Sequence, residues 1–273
     1  MSNLSFAQYY TEMIDFTYQV INSLKGAQDD WRRMRCHDLA TKLFFHAATI
    51  GELRNGTNLN LSNYKNGAHI VDFPSLTVLA RACLDTYLRM FEIYFEQMPE
   101  DEFDYRHAVY ELQGFLIRER HIPQNPDPSL QKRVEETLLR IDDMRNRVKN
   151  TKFFQGLNDT QQKQSLKGYI YPKRDWGKLA ISAGFGQKFI GKVYAYQSAY
   201  VHADSLSVAQ ISEATTDELR NSYVETCVGI VMMILARMIM NYIHRYPKAK
   251  KAYDQNQTMA VVTTALAKAA SSI

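Results

Sequence analysis

The sequence predicts an all-α protein, a multi-helix bundle, on three observations. Gly and Pro are scarce, 12 and 7 in 273 residues, and the prolines fall at segment ends. Between them, long stretches repeat apolar residues at intervals of three and four, the spacing that lines one helix face. No stretch alternates with period two for long enough to build a sheet; the nearest, Ala68–Phe73, is too short. More than half the residues are therefore expected in helix, with no sheet of three or more strands.

The first helix is expected over Phe6–Leu24, where Phe6, Tyr10, Met13, Phe16 and Val20 share a face before Gly26. A second runs from about Asp30 to Leu53, with an acidic start and an Asn55-Gly56 stop suited to a left-handed turn. Asn55–Gly67, rich in Asn and Gly, reads as a loop, and Pro74 suits a first helical position. Ser75–Gln97 is strongly helical, with Leu76, Leu79, Leu84, Leu88 and Phe91 on a broad apolar face. Helices follow at Glu102–Arg120 and Ser129–Val148, parted by the Pro-rich stretch 122–128. That stretch is the candidate boundary inside what is otherwise read as one helical domain, 1–273.

An irregular insertion around 149–177 carries Phe153, Phe154, Leu157, Tyr169 and Trp176, so short packed helices and turns are expected there. Lys178–Ala183 and Gln187–Val201 flank a Gly184-Phe185-Gly186 break. Thr216 caps a long helix to about Tyr246 whose apolar residues occupy several faces, which places it in the middle of a bundle or at a homodimer interface. A tail helix, 258–270, is Ala-rich and needs a docking surface.

Composition narrows the function classes. Hydrophobic residues make up 45% and charged residues 23%, enough for a core and too few charges for a disordered chain. A net charge of +4 falls short of a dedicated nucleic-acid arm. Three cysteines make no disulfide framework, and the N-terminal residues lack a signal-peptide pattern, so a cytoplasmic location is expected. The most apolar run, Thr226–Ala236, is shorter than a bilayer span, so no membrane association is expected. No metal or phosphate-binding signature is present: no Cys-x-x-Cys, no His-Glu-x-x-His, no Gly-rich phosphate loop, and no Glu three residues before a His. Cofactors and sequence-specific DNA binding are accordingly not expected.

Two constellations stand out. Tyr194, Ser198 and His202 lie four apart, so a helix stacks them on one stripe with His202 at its C-terminus, and Asp204 follows. A His there is either a cap or a general acid/base beside a hydroxyl and a carboxylate. Arg81 and Asp85 lie one turn apart in an apolar helix, either as a surface pair or turned inward, where the planar fork of Arg81 suits a phosphate or carboxylate.

Arg81-x-x-x-Asp85 followed by Tyr194-x-x-x-Ser198-x-x-x-His202, with Trp176 and Gly184 before the His helix, resembles a family of uncharacterised bacterial all-helical proteins associated with mobile and defence loci. The resemblance covers roughly 75–205 and implies a fold more than a reaction. More distantly the chain is similar to the HEPN superfamily of helical bundles, many of them RNA-cutting toxins or antiphage effectors, marked by Arg, four to six residues, then His. That resemblance implies a HEPN-like bundle and RNA as a partner. His202 departs from the mark, since Gln197, Tyr196 and Ala195 occupy the required positions; Arg32–His37 and Arg237–His244 match it.

Two readings follow. In one, the protein is of a defence or toxin type and acts on RNA or another phosphate ester, with His202 as acid/base, Arg81 as anion holder, and Ser198, Asp85 and Tyr194 orienting them. In the other it is a non-catalytic oligomeric interaction module whose polar cluster pins helices. Convergence of Arg81 with His202 in one open cleft separates them; a buried, mutually satisfied cluster favours the second.

Overall fold

A computed structural model describes residues 5–25, 31–60 and 68–272. The chain divides into two units, one of residues 1–95 with 176–273 and one of residues 96–175. The Pro-rich loop therefore lies within the second unit, joining two helices that pack together, and the division falls at 95/96 and 175/176 instead.

In the first unit come α1 (Phe6–Asn22), α2 (Trp31–Leu53), β1 (Thr57–Leu59), β2 (Ala68–Ile70) and α3 (Phe73–Met90), which runs into a π-helical turn at Phe91–Phe95. The second unit holds α4 (Glu100–Arg120), α5 (Pro128–Asn150), α6 (Lys152–Gln155) and α7 (Asp159–Ser165). The chain then returns with α8 (Trp176–Ser182), α9 (Gln187–Phe189), a second π turn at Ile190–Tyr194, α10 (Ala195–Val201), α11 (Ser205–Glu213), α12 (Asp217–Arg245), α13 (Pro247–Gln255) and α14 (Gln257–Ser272). The class is all-α, as expected.

The ends are where the caps put them. Ser5 accepts from Gln8 N while Gln8 Oε1 accepts from Ser5 N, a reciprocal box that starts α1. Asp72 caps α3 by accepting from Ser75 N at 3.1 Å, and Thr216 caps α12 through Leu219 N at 3.3 Å. Thr57–Leu59, inside the expected loop, pairs antiparallel with Ala68–Ile70, the start of the short run that came nearest to a strand pattern. Both strands are largely exposed, so neither shows the inside–outside alternation that marks a strand in sequence.

α12 is the axis of the first unit. It packs against α14, α3, α1 and α13, and Val231, Ile234, Leu235, Met238, Ile239 and Tyr242 are completely or nearly completely buried. It is long and apolar enough to cross a membrane, with 67% of its most apolar window buried inside the fold. Its several apolar faces are thus covered within its own unit, and no dimer is needed to explain them. α14 docks through Met259, Thr263, Ala267 and Ala270, one stripe at helical spacing.

In the second unit, α4 and α5 pack as a helical hairpin. Tyr105, Ala108, Val109, Val148 and Phe154 make one core cluster; Leu112, Leu116, Ile141 and Met144 make another. The irregular stretch is docked, not loose. Asp101 accepts from Lys152 N and Phe153 N, capping α6 from α4, and the Tyr105 hydroxyl lies 2.7 Å from Ser165 Oγ. Arg106, 2% exposed, reaches Glu96 and Glu102, and Glu96 also takes Arg174.

Candidate functional site

α3 and α10 pack side by side, and the second π turn leads directly into α10. Along α3, residues 81 and 85 fall on one face; along the other, Tyr194 and Ser198 do. The faces meet. Arg81, only 11% exposed, donates from Nε to Asp85 Oδ1 at 2.9 Å and from Nη1 to Ser198 Oγ at 2.5 Å. The Tyr194 ring covers the guanidinium, with Cζ 3.6 Å from its centroid. That distance lies well inside cation–π range. Asp85 stays 41% exposed, so the pair is wetter on its acidic side.

His202 behaves differently. It is the C-cap of α10, its backbone N–H bonding Ser198 O at 3.0 Å, and its side chain is exposed. Ala203 then adopts φ 54, and Asp204 N bonds Ala199 O at 2.9 Å, the six-to-one closure of a Schellman turn. Among the described residues, the His202 ring makes no hydrogen bond or ion pair with Arg81, Asp85, Ser198 or Tyr194. Four of the five expected site residues are brought together and the histidine is left outside the hydrogen-bonded set.

Of the HEPN-type spacings, the Arg32 side chain lies outside the described residues, while His37 Nδ1 sits 3.2 Å from the Tyr242 hydroxyl. Arg237 and His244 occupy the same helix, seven residues apart, Arg237 half-buried and His244 exposed. Trp176 stacks under Arg89, whose Cζ lies 5.5 Å from the ring centroid, and Arg89 pairs with Glu92. Among the described residues no group of three or more His, Cys, Asp or Glu is placed to hold a metal ion. Burial pushes the thiols of Cys36 and Cys227 up to about 12, so neither is a thiolate nucleophile at neutral pH.

Two further features were not read from the sequence. α11 is built inside out: Ser207 is buried and donates to Asp204 O at 2.8 Å, whereas Leu206, Val208 and Ile211 are 47%, 56% and 51% exposed. Asp204 at the N-cap was the available signal for this helix. Beside it lies a groove of about 740 Å³, lined mainly by apolar groups of Val193, Tyr196, Ala199, Leu206, Tyr223 and Ile230. A second cavity, of about 380 Å³, is lined by Arg54, His69, Asp217 and Glu225 among others. No protein-family model, curated protein or solved structure matches the chain.

Proposed function

We propose that the protein is a non-catalytic, self-associating interaction module, in which the Arg81 cluster fastens α3 to α10 and the face made by α11 and its groove receives a second copy of the chain. The observation that carries this reading is the inverted burial of α11. A helix with its serine inward and three aliphatic side chains outward loses hydrophobic stabilisation in a monomer, and apolar surface left exposed in that way marks association sites. The occupant follows from shape. Leu206 lines the apolar groove while Val208 and Ile211 share the other flank of the same short helix, so a two-fold axis can set that exposed flank in each copy against the groove of the other. The cluster supports the same reading: Arg81 has partners for Nε and Nη1 and a ring over its face, which leaves it a poor candidate for a mobile anion holder.

Light scattering tests it. The full chain at micromolar concentration is expected to be dimeric, and Leu206→Asp with Ile211→Asp is expected to make it monomeric while leaving the helical spectrum intact. A wild-type monomer overturns the reading. The second reading, an enzyme of defence or toxin type acting on RNA or another phosphate ester, draws on the exposed, unpartnered His202. It predicts that His202→Ala abolishes RNA cleavage without lowering the melting temperature.

A further inference from the structure

Arg237 stands on the central helix between buried Ala236 and buried Met238. Arg237 itself is half-buried, and the enclosed part of a guanidinium is costly unless it is paired. Among the described residues Arg237 has no carboxylate within ion-pair distance and no acceptor for its side chain. Its Nε is shut off from solvent without a partner. Burial lowers its pKa, with only the neighbouring Tyr87 hydroxyl opposing the shift. That hydroxyl is already engaged, donating to Ala183 O at 2.9 Å and accepting from Asn241 Nδ2 at 2.7 Å.

The guanidinium rests on Gly184. A Cβ at that position would lie 2.6 Å from Nη1, 2.7 Å from Cζ and 3.1 Å from Nη2. Gly184 also has φ +93, so glycine is required twice, by the backbone and by the arginine. The turn itself is fully tied down: Gly184 N bonds Ile181 O, Phe185 N bonds Ala180 O and Gly186 N bonds Ala270 O. With one face against the glycine and Nε enclosed, the donors left for a partner are those on Nη1 and Nη2, a pair that matches two oxygens of one anion. We propose that Arg237, seated on Gly184, anchors a site for a small oxyanion, a phosphate or a carboxylate. His244 is no part of it, being exposed and two turns, about 10 Å, further along the helix. This inference does not rest on self-association.

Thermal melting of the full chain provides the test, with inorganic phosphate and acetate as probes and chloride at equal ionic strength as control. A probe roughly five-fold above its Kd should raise the wild-type melting temperature by about 2–4 °C over chloride. Arg237→Met should melt higher than wild type in chloride, since it removes an unpaired charge, and should show no probe effect. Whichever of phosphate and acetate gives the shift identifies the oxyanion. Should Arg237→Met fail to fold, Arg237→Lys keeps the charge without the fork; phosphorus NMR line broadening of inorganic phosphate, or proton NMR of acetate, should then weaken at least ten-fold relative to wild type. Equal stabilisation of wild type and both variants, or no stabilisation of wild type by either probe, overturns the proposal.

Discussion

Arg106 and Arg237 are both arginines on helices, and the protein treats them in opposite ways. Arg106, in the second unit, is 2% exposed and reaches two carboxylates, one of them shared with Arg174. Arg237, in the first, is half-buried and sits on a glycine with no acceptor. Arg81 lies between these extremes, held by one carboxylate, one hydroxyl and one ring. Where carboxylates offset the desolvation, an arginine is a fixture of the fold and its removal leaves those carboxylates stranded. Where they do not, the arginine weakens the fold, a cost that the proposed anion at Arg237 would offset.

The largest expected effect is at Arg106. Arg106→Ala leaves Glu102 and one oxygen of Glu96 without their cation, and denaturant unfolding should show a loss of about 3–5 kcal/mol. A loss below 1 kcal/mol would erase the distinction drawn above. Arg81→Ala should cost about 1–3 kcal/mol, less because Asp85 is already wet. Arg81→Lys should recover under half of that, since an ammonium cannot serve Asp85 and Ser198 in one plane. If Arg81→Ala instead leaves stability untouched and removes a measurable activity, the cluster is functional.

Gly184→Ala should destabilise by about 1–3 kcal/mol, through the left-handed backbone and the contact with Arg237. Adding Arg237→Ala should return the contact part but not the backbone part, and a double-mutant cycle reads the difference. Full additivity would mean that the arginine does not lean on the glycine.

The smallest effect is a pH dependence at His46, a cation that can escape its predicament as Arg237 cannot. Burial first, then the charge of Lys42, lowers its pKa from the ordinary 6.5. The unfolded chain therefore takes up the proton first as pH falls. Stability should be full above about 6.5 and decline as pH drops through that value toward the lowered folded one. His46→Gln should remove this part of the slope in a set of urea titrations; an unchanged slope would assign it to other groups.

Much of this was legible in the sequence. The long helix from Thr216, the tail stripe and the i,i+4 pair of Arg81 with Asp85 follow from periodicity and caps, because those signals are local. The approach of Ser198 and Tyr194 to Arg81 was expected from the reading in which they orient Arg81 and His202. His202 was expected with them because it shares their stripe. The Schellman turn at Ala203 closes the helix at that residue and leaves its ring in solvent, and nothing in Ala203 announces φ 54. The π turns at Phe91–Phe95 and Ile190–Tyr194 were invisible for a similar reason, since one extra residue in a turn leaves the apolar pattern readable as α. α11 was missed because Leu206, Val208 and Ile211 do not line the face that packs inward. Glu102 lies one turn before Arg106, so that pair was open to the same i,i+4 reading as Arg81 with Asp85; not legible were the burial of Arg106, the sharing of Glu96 with Arg174, and the seating of Arg237 on Gly184.

The central position of α12 also sets an order of events during synthesis. Its flank against α3 and α1 can close as soon as the helix emerges, because those partners precede it in the chain. The flank against α13 and α14 cannot, because both follow it. For that interval the ribosome holds out a helix apolar enough to be mistaken for a membrane segment, with one side bare. Nascent chains in that state are the natural clients of chaperones and the ones most prone to clump. A stop codon placed just after Arg245 should therefore yield insoluble protein, although α12 itself would be complete.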